Sequence, residues 1–123
     1  MANRGIKILL VHIFVMLANL LPAQTVRVKA TANKDHILIG EPILLQLEAE
    51  CPADATIGWF TLDSISHFEF IDSGIKDTLA GSLGILYRQA LTITSFDSGS
   101  QVIPPMAITM NNSRFLTDSI KIE

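Results

Sequence analysis

Beyond residue 25 the chain alternates. Val26, Val28, Ala30 and Ala32 share one parity, while Thr25, Arg27, Lys29 and Thr31 take the other. That is the period-two pattern of a strand with one buried and one solvated face. Asn33-Lys34-Asp35 reads as a turn, and Ile37-Leu38-Ile39 leads through Gly40 to Glu41-Pro42. The alternation resumes with Ile43, Leu45, Leu47 and Ala49 inward and Gln46, Glu48 and Glu50 outward. Helix formers populate this run, but Pro42 and Pro52 leave a helix too little length, so it reads as a strand.

The same reading continues to the end of the sequence. Residues 57–62 predict a compact third strand after the Pro52-Ala53-Asp54 turn. Residues 67–71 form another, with Phe68 and Phe70 on one parity, and Asp72-Ser73-Gly74 and Lys76-Asp77 read as turns. A long run at 86–96 places Tyr87, Leu91 and Ile93 inside and Arg88, Thr92 and Thr94 outside. After Asp97-Ser98-Gly99 a strand starts at Gln101. Pro104-Pro105 then removes two backbone donors, which predicts a bend, a bulge or a change of partner there. Residues 106–110 resume pairing, Asn111-Asn112-Ser113 turns, and 116–123 supply a last strand with Ile120 and Ile122 inward.

Seven or eight short strands with turn signals between them, and no helix after residue 24, predict two stacked antiparallel sheets. The fold class is therefore all-β, an immunoglobulin-like sandwich of about seven strands over residues 25–123, with a small barrel as the alternative. No Cys-Trp-Cys framework is present, so this is not an antibody-type domain.

Composition separates the first segment from the rest. Residues 1–24 are apolar at 16 of 24 positions, against 44 of 99 afterwards. Arg4 and Lys7 precede an apolar run from Ile8 to Leu21, closed by Pro22-Ala23-Gln24. That order predicts a secretory signal peptide over residues 1–24, cleaved after Ala23 or Gln24. As a helix the run reaches roughly 21 Å, short of the ~30 Å hydrocarbon core, which favours a signal over an anchor. No cysteine lies at the junction for lipid attachment. The predicted mature chain keeps seven basic against twelve acidic residues, a net charge of −5 with no basic run. Such a surface is a poor match for nucleic acid.

Candidate chemistry is sparse. Asp63, Asp72 and Asp97 each stand beside Ser, and Asp77 between Lys76 and Thr78, where turns explain all four, and no spaced calcium-loop motif is present. His36 and His67 are 31 positions apart, without zinc-ligand spacing. No Gly-x-Ser-x-Gly occurs. Cys51, the single cysteine, reads as a half-buried apolar residue whose neighbours Glu50 and Asp54 raise its thiol pKa. Trp59 and Phe60 point to opposite faces if extended, so at most one of them offers a stacking platform. Asn111-Asn112-Ser113 matches a glycosylation sequon by a pattern that chance produces often. The residues assign no catalytic, cofactor-binding or metal-ligating position, and no cofactor; they point to a non-enzymatic surface acting through loops or a sheet edge.

Three stretches carry a family resemblance: ATANKDHILIGEPILLQLEAE at 30–50, LTITSFDSGSQVIPPMAITM at 91–110 and FLTDSIKIE at 115–123. In this order and spacing they resemble the amino-terminal immunoglobulin-like domain of the BatD family of bacterial oxygen-tolerance (aerotolerance) proteins. The resemblance implies an exported domain on the outer, periplasmic side of the cytoplasmic membrane. Its implied role is the assembly of an envelope complex with Bat-type proteins bearing von Willebrand-type domains. It implies no enzyme activity and no cofactor. The sequence departs from the family pattern in lacking a carboxy-terminal transmembrane helix, so membrane association would require a missing anchor or an uncleaved signal. It also has Gln101 where many immunoglobulin-like domains place a tyrosine after Asp-x-Gly, so the phenol-to-backbone bond of that corner is lost. The alternative reading is an adhesin-like or carbohydrate-binding sandwich of a surface protein.

Overall fold

In the computed structural model, the residues described are 5, 7–12 and 26–123. Gly5 and residues 7–12 are helical and exposed; the remainder of the predicted signal segment lies outside the described residues. Among the described residues no helix is long and apolar enough to cross a membrane.

Ten strand segments follow: β1 (Arg27–Ala32), β2 (Ile43–Cys51), β3 (Ile57–Gly58), β4 (Glu69–Asp72), β5 (Lys76–Gly81), β6 (Gly84–Thr94), β7 (Gln101–Ile103), β8 (Ala107–Met110), β9 (Ser113–Leu116) and β10 (Ile120–Ile122). β1, β2 and β6 pair in that order, and the far edge of β6 is shared by β4 and β5. β4 and β5 thus act as one strand interrupted at residues 73–75. In the second layer β3 pairs with β8, β8 with β9, and β7 with β10. Joining the interrupted pieces gives seven strands, with first, second, fifth and fourth in one sheet and third, sixth and seventh in the other. This is the immunoglobulin constant-type order. All strand pairs are antiparallel.

The core forms where the period-two faces meet. Ile43, Leu45, Leu47, Ala49 and Cys51 of β2 and Leu91 and Ile93 of β6 are fully buried against Phe60, Ile65, Phe68, Ile103, Ile108, Met110 and Ile122. Each buried large aliphatic side chain contributes about 1.5–3 kcal/mol through loss of apolar surface to water. β1 shows the same alternation at lower burial, as an edge strand does.

The prolines act as their chemistry requires. The ladder breaks at Pro104-Pro105, and opposite them the partner strand also interrupts between β9 and β10. Met106 N–H donates to Thr117 Oγ1 at 2.8 Å, and Thr117 N–H donates to the Met106 carbonyl at 2.9 Å. A side-chain hydroxyl thus bridges the gap, and the run predicted at 116–123 becomes two pieces. Asn111 (φ 49°) and Asn112 (φ 66°) both occupy the left-handed region, as the two-residue hairpin joining β8 to β9 demands. Asn111 also exchanges bonds with Thr56: its N–H donates at 2.9 Å, and its Oδ1 accepts the Thr56 N–H at 3.0 Å. Here the asparagine serves the turn.

Several local expectations are corrected. The third strand contracts from 57–62 to Ile57–Gly58, because the chain turns irregular at Trp59. Lys76-Asp77 is the start of β5, not a turn, since β6 offers an edge long enough to pair with both β4 and β5. Asp72 is the last residue of β4, with the register shifting between Phe70 and Asp72. Thr94, expected outside, is only 2% exposed, and its hydroxyl donates to the Glu41 carbonyl at 2.9 Å. Cys51 is fully buried instead of half-buried. Burial, with a smaller contribution from the Glu50 carboxylate, pushes its thiol above the ordinary range.

Candidate functional site

One end of the sandwich gathers the β1–β2 connection, the β6–β7 loop and the end of β10 around a cleft of about 420 Å³. The β1–β2 connection crosses between the sheets. Glu123 N–H donates to the Asp35 carbonyl at 2.7 Å and Ile37 N–H to the Glu123 carbonyl at 2.8 Å. This is the pattern of a parallel bridge centred on His36. It brings Ile37 beside Ile122 as the apolar floor of the cleft.

The next turn is clamped by a carboxylate. Glu41 N–H donates to the Leu38 carbonyl at 3.0 Å, while Glu41 Oε2 accepts the Leu38 N–H at 2.9 Å and Oε1 meets Lys34 Nζ at 2.9 Å. Those contacts hold the Glu41 carboxyl below its ordinary range, the Leu38 amide first and Lys34 next. Gly40, at φ +81°, closes the turn, and its N–H donates to the Ser95 carbonyl at 2.9 Å. A Cβ at Gly40 would stand 3.2 Å from the Phe96 ring, so glycine lets that ring lie against the turn. The result is an apolar rim held on a hydrogen-bonded frame, Leu38 79% and Ile39 63% exposed, with the 58% exposed Phe96 packed against the same turn.

The opposite rim is polar. Ser95 is buried; its hydroxyl donates to the His67 carbonyl at 2.7 Å and accepts the Asp97 N–H at 3.2 Å. His67 sits at φ 70° in the tight turn closed by Phe68 N–H to the Ile65 carbonyl at 3.0 Å. Its Nδ1 lies 2.8 Å from Asp97 Oδ2. Gln101 Nε2 donates to the Ser98 carbonyl at 3.2 Å, so an amide replaces the absent phenol in tying the strand start back to the loop. Sequence reasoning found the missing tyrosine but not this substitute, since a glutamine side chain's direction depends on the loop it meets.

The remaining candidates disperse. His36 and His67 pair with different carboxylates, His36 with Asp35 at 2.8 Å and Glu123 at 3.1 Å. Of the four aspartates, Asp72 caps the kink by accepting the Gly74 N–H at 3.0 Å, Asp97 faces His67, and Asp77 pairs with Arg88 from within β5. Trp59 and Phe60 are not on opposite faces. Because the chain is irregular there, their rings meet edge to face, with centroids 5.0 Å apart. Phe60 is buried and Trp59 half-buried, with Lys76 Nζ 5.1 Å from the Trp59 ring centroid.

The class that this fold defines is an immunoglobulin-like β-sandwich. The chain matches no family model, no curated protein and no solved structure.

Proposed function

We propose that the chain is a non-enzymatic, exported interaction module of a BatD-like cell-envelope protein, acting in the assembly of an aerotolerance-type complex on the outer side of the cytoplasmic membrane. The observation that carries the contact part of this reading is the exposed apolar rim of Leu38 and Ile39 on the end cleft, beside the exposed Phe96 ring that lies against the same turn. Apolar side chains on a rigid, hydrogen-bonded loop lose little conformational entropy when a partner covers them, which suits a recognition surface. The envelope setting rests on the sequence resemblance. The partner it implies is a Bat-type protein with a von Willebrand-type domain.

The sugar-binding alternative depends on Trp59. Its indole N–H is already bonded to Gln89 Oε1 at 2.7 Å and its ring carries Lys76, which leaves less of it for stacking. The protein-contact reading therefore comes first.

The test is calorimetric titration of the full chain with the von Willebrand-domain protein encoded nearest to it. The Leu38→Ser/Ile39→Ser variant is expected to weaken binding at least tenfold with an unchanged circular dichroism spectrum. Binding that ignores this change, or no binding by the wild-type chain, overturns the reading.

A further inference from the structure

A straight row of charges crosses the outer face of the larger sheet. Register sets Lys29 of β1 opposite Glu48 of β2, Glu48 opposite Arg88 of β6, and Arg88 opposite Asp77 of β5. The signs run plus, minus, plus, minus from edge to edge. Directly opposed strand positions attract when their charges differ and repel when they match. Asp77 already accepts Arg88 through both oxygens, at 3.4 Å to Nε and 3.0 Å to Nη2. Lys29, at the other end, makes no ion pair among the described residues. The row thus ends in opposite charges at the two edges.

Both edges are open among the described residues, since β1 pairs only with β2, and β5 only with β6. Each step from β1 through β2 and β6 to β5 reverses direction, so β1 and β5 run oppositely. A second copy displaced sideways therefore brings its β1 antiparallel to β5 of the first. The free backbone groups agree with the charges. Asn33 N–H donates to the Leu44 carbonyl, so odd-numbered positions of β1 address β2, and Val28, Ala30 and Ala32 turn their amides outward. The two-residue loop of Ser82 and Leu83 closes on the Gly81–Gly84 pair, which leaves Lys76, Thr78 and Ala80 outward on β5. Placing Asp77 opposite Lys29 of a second copy sets Lys76 against Ala30 and Thr78 against Val28. Open amides and carbonyls then face one another in that same register.

We propose that these edges form a self-association site in which β5 of one copy receives β1 of the next, head to tail, and the charge row continues across the junction. The contact is heterologous, so growth is open-ended. Pairing of β1 with another β1 is disfavoured, because it gathers Arg27 and Lys29 of both copies. The kink at residues 73–75 ends the usable edge and keeps the contact short and weak.

The test is oxidation of the full chain carrying Lys29→Cys and Asp77→Cys together. Within one copy two strands separate these positions by about 14 Å, beyond the ~7 Å that a disulfide spans. Buried Cys51 is shielded from the oxidant. The expected result is a ladder of covalent multimers on a non-reducing gel, with only dimers from a mixture of the two single variants. A double variant that stays monomeric, or single variants that cross-link alone as readily, overturns the proposal. Independently, Lys29→Glu should abolish concentration-dependent sedimentation, and adding Asp77→Lys should restore it. Association indifferent to Lys29→Glu likewise refutes the site.

Discussion

Trp59 donates its indole N–H to Oε1 of Gln89 at 2.7 Å, and Nε2 of the same Gln89 donates to the Ser73 carbonyl at 2.7 Å. One nearly buried amide thereby ties the chain leaving β3 to the kink between β4 and β5. It joins the two layers at the point where both depart from regular pairing. The two bonds use one acceptor and one donor of the amide, a pairing that neither a carboxylate nor an aliphatic side chain reproduces.

Replacing that amide isolates both partners. Gln89→Leu is expected to destabilise the fold by about 1–3 kcal/mol, the cost of leaving polar groups unpaired away from water. Urea denaturation measures the loss. Trp59 emission should shift in the folded state, because its N–H loses its acceptor.

Two glycines with the same sign of φ separate strain from crowding. Gly74 (φ +63°) has no room for a Cβ, which would stand 1.9 Å from the Ala90 carbonyl oxygen, whereas Gly99 (φ +85°) has nothing within 4 Å. Gly99→Ala should cost only the left-handed penalty, about 1–2 kcal/mol. Gly74→Ala adds displacement of the β6 backbone and should cost about 2–5 kcal/mol. Paired thermal melts decide the order; equal losses would show that the kink relaxes freely.

The crossing strand should respond to pH. Asp35 first and Glu123 more weakly raise the His36 pKa, His36 lowers that of Asp35, and Lys121 first and His36 next lower that of Glu123. The raised histidine contributes stability that is full below its ordinary value of about 6.5 and fades as pH rises through the folded value. The lowered carboxyls contribute above their ordinary values, about 3.8 for Asp35 and 4.5 for Glu123, and fade as pH falls through the folded ones. Protection of the Ile37 and Glu123 amides from hydrogen exchange, corrected for intrinsic rates, should therefore peak between about pH 4.5 and 6.5. His36→Gln should remove the decline above that window. All three groups are exposed, so salt should flatten the profile.

Alternation made β2 legible almost residue by residue, since one of its faces is sealed at every second position. The Asp97-Ser98-Gly99 turn and the break at Pro104-Pro105 were legible for a different reason: glycine's freedom and proline's missing donor act wherever they stand. β5 was hidden because Lys76 and Asp77 look like turn residues until an edge of β6 is offered to them. Thr94 was misplaced because its hydroxyl meets a backbone carbonyl 53 positions away, a partner that no local pattern reveals. The end cleft was half visible. Ile37, Leu38 and Ile39 stood out as an apolar run, but only the parallel bridge to Glu123 turns Ile37 toward the floor and leaves the other two exposed.

The amino-acid order by itself determined the all-β class and the inward parity of the best-buried strands. These follow from side-chain alternation and backbone chemistry that act over a few residues. Tertiary structure alone decided which strands share an edge, how Gln89 and Thr117 bridge the irregular gaps, and how Lys29 and Asp77 come to end one row of charge. Those outcomes depend on groups far apart in the chain, whose meeting is set by how two twisted sheets pack and not by any neighbour in sequence.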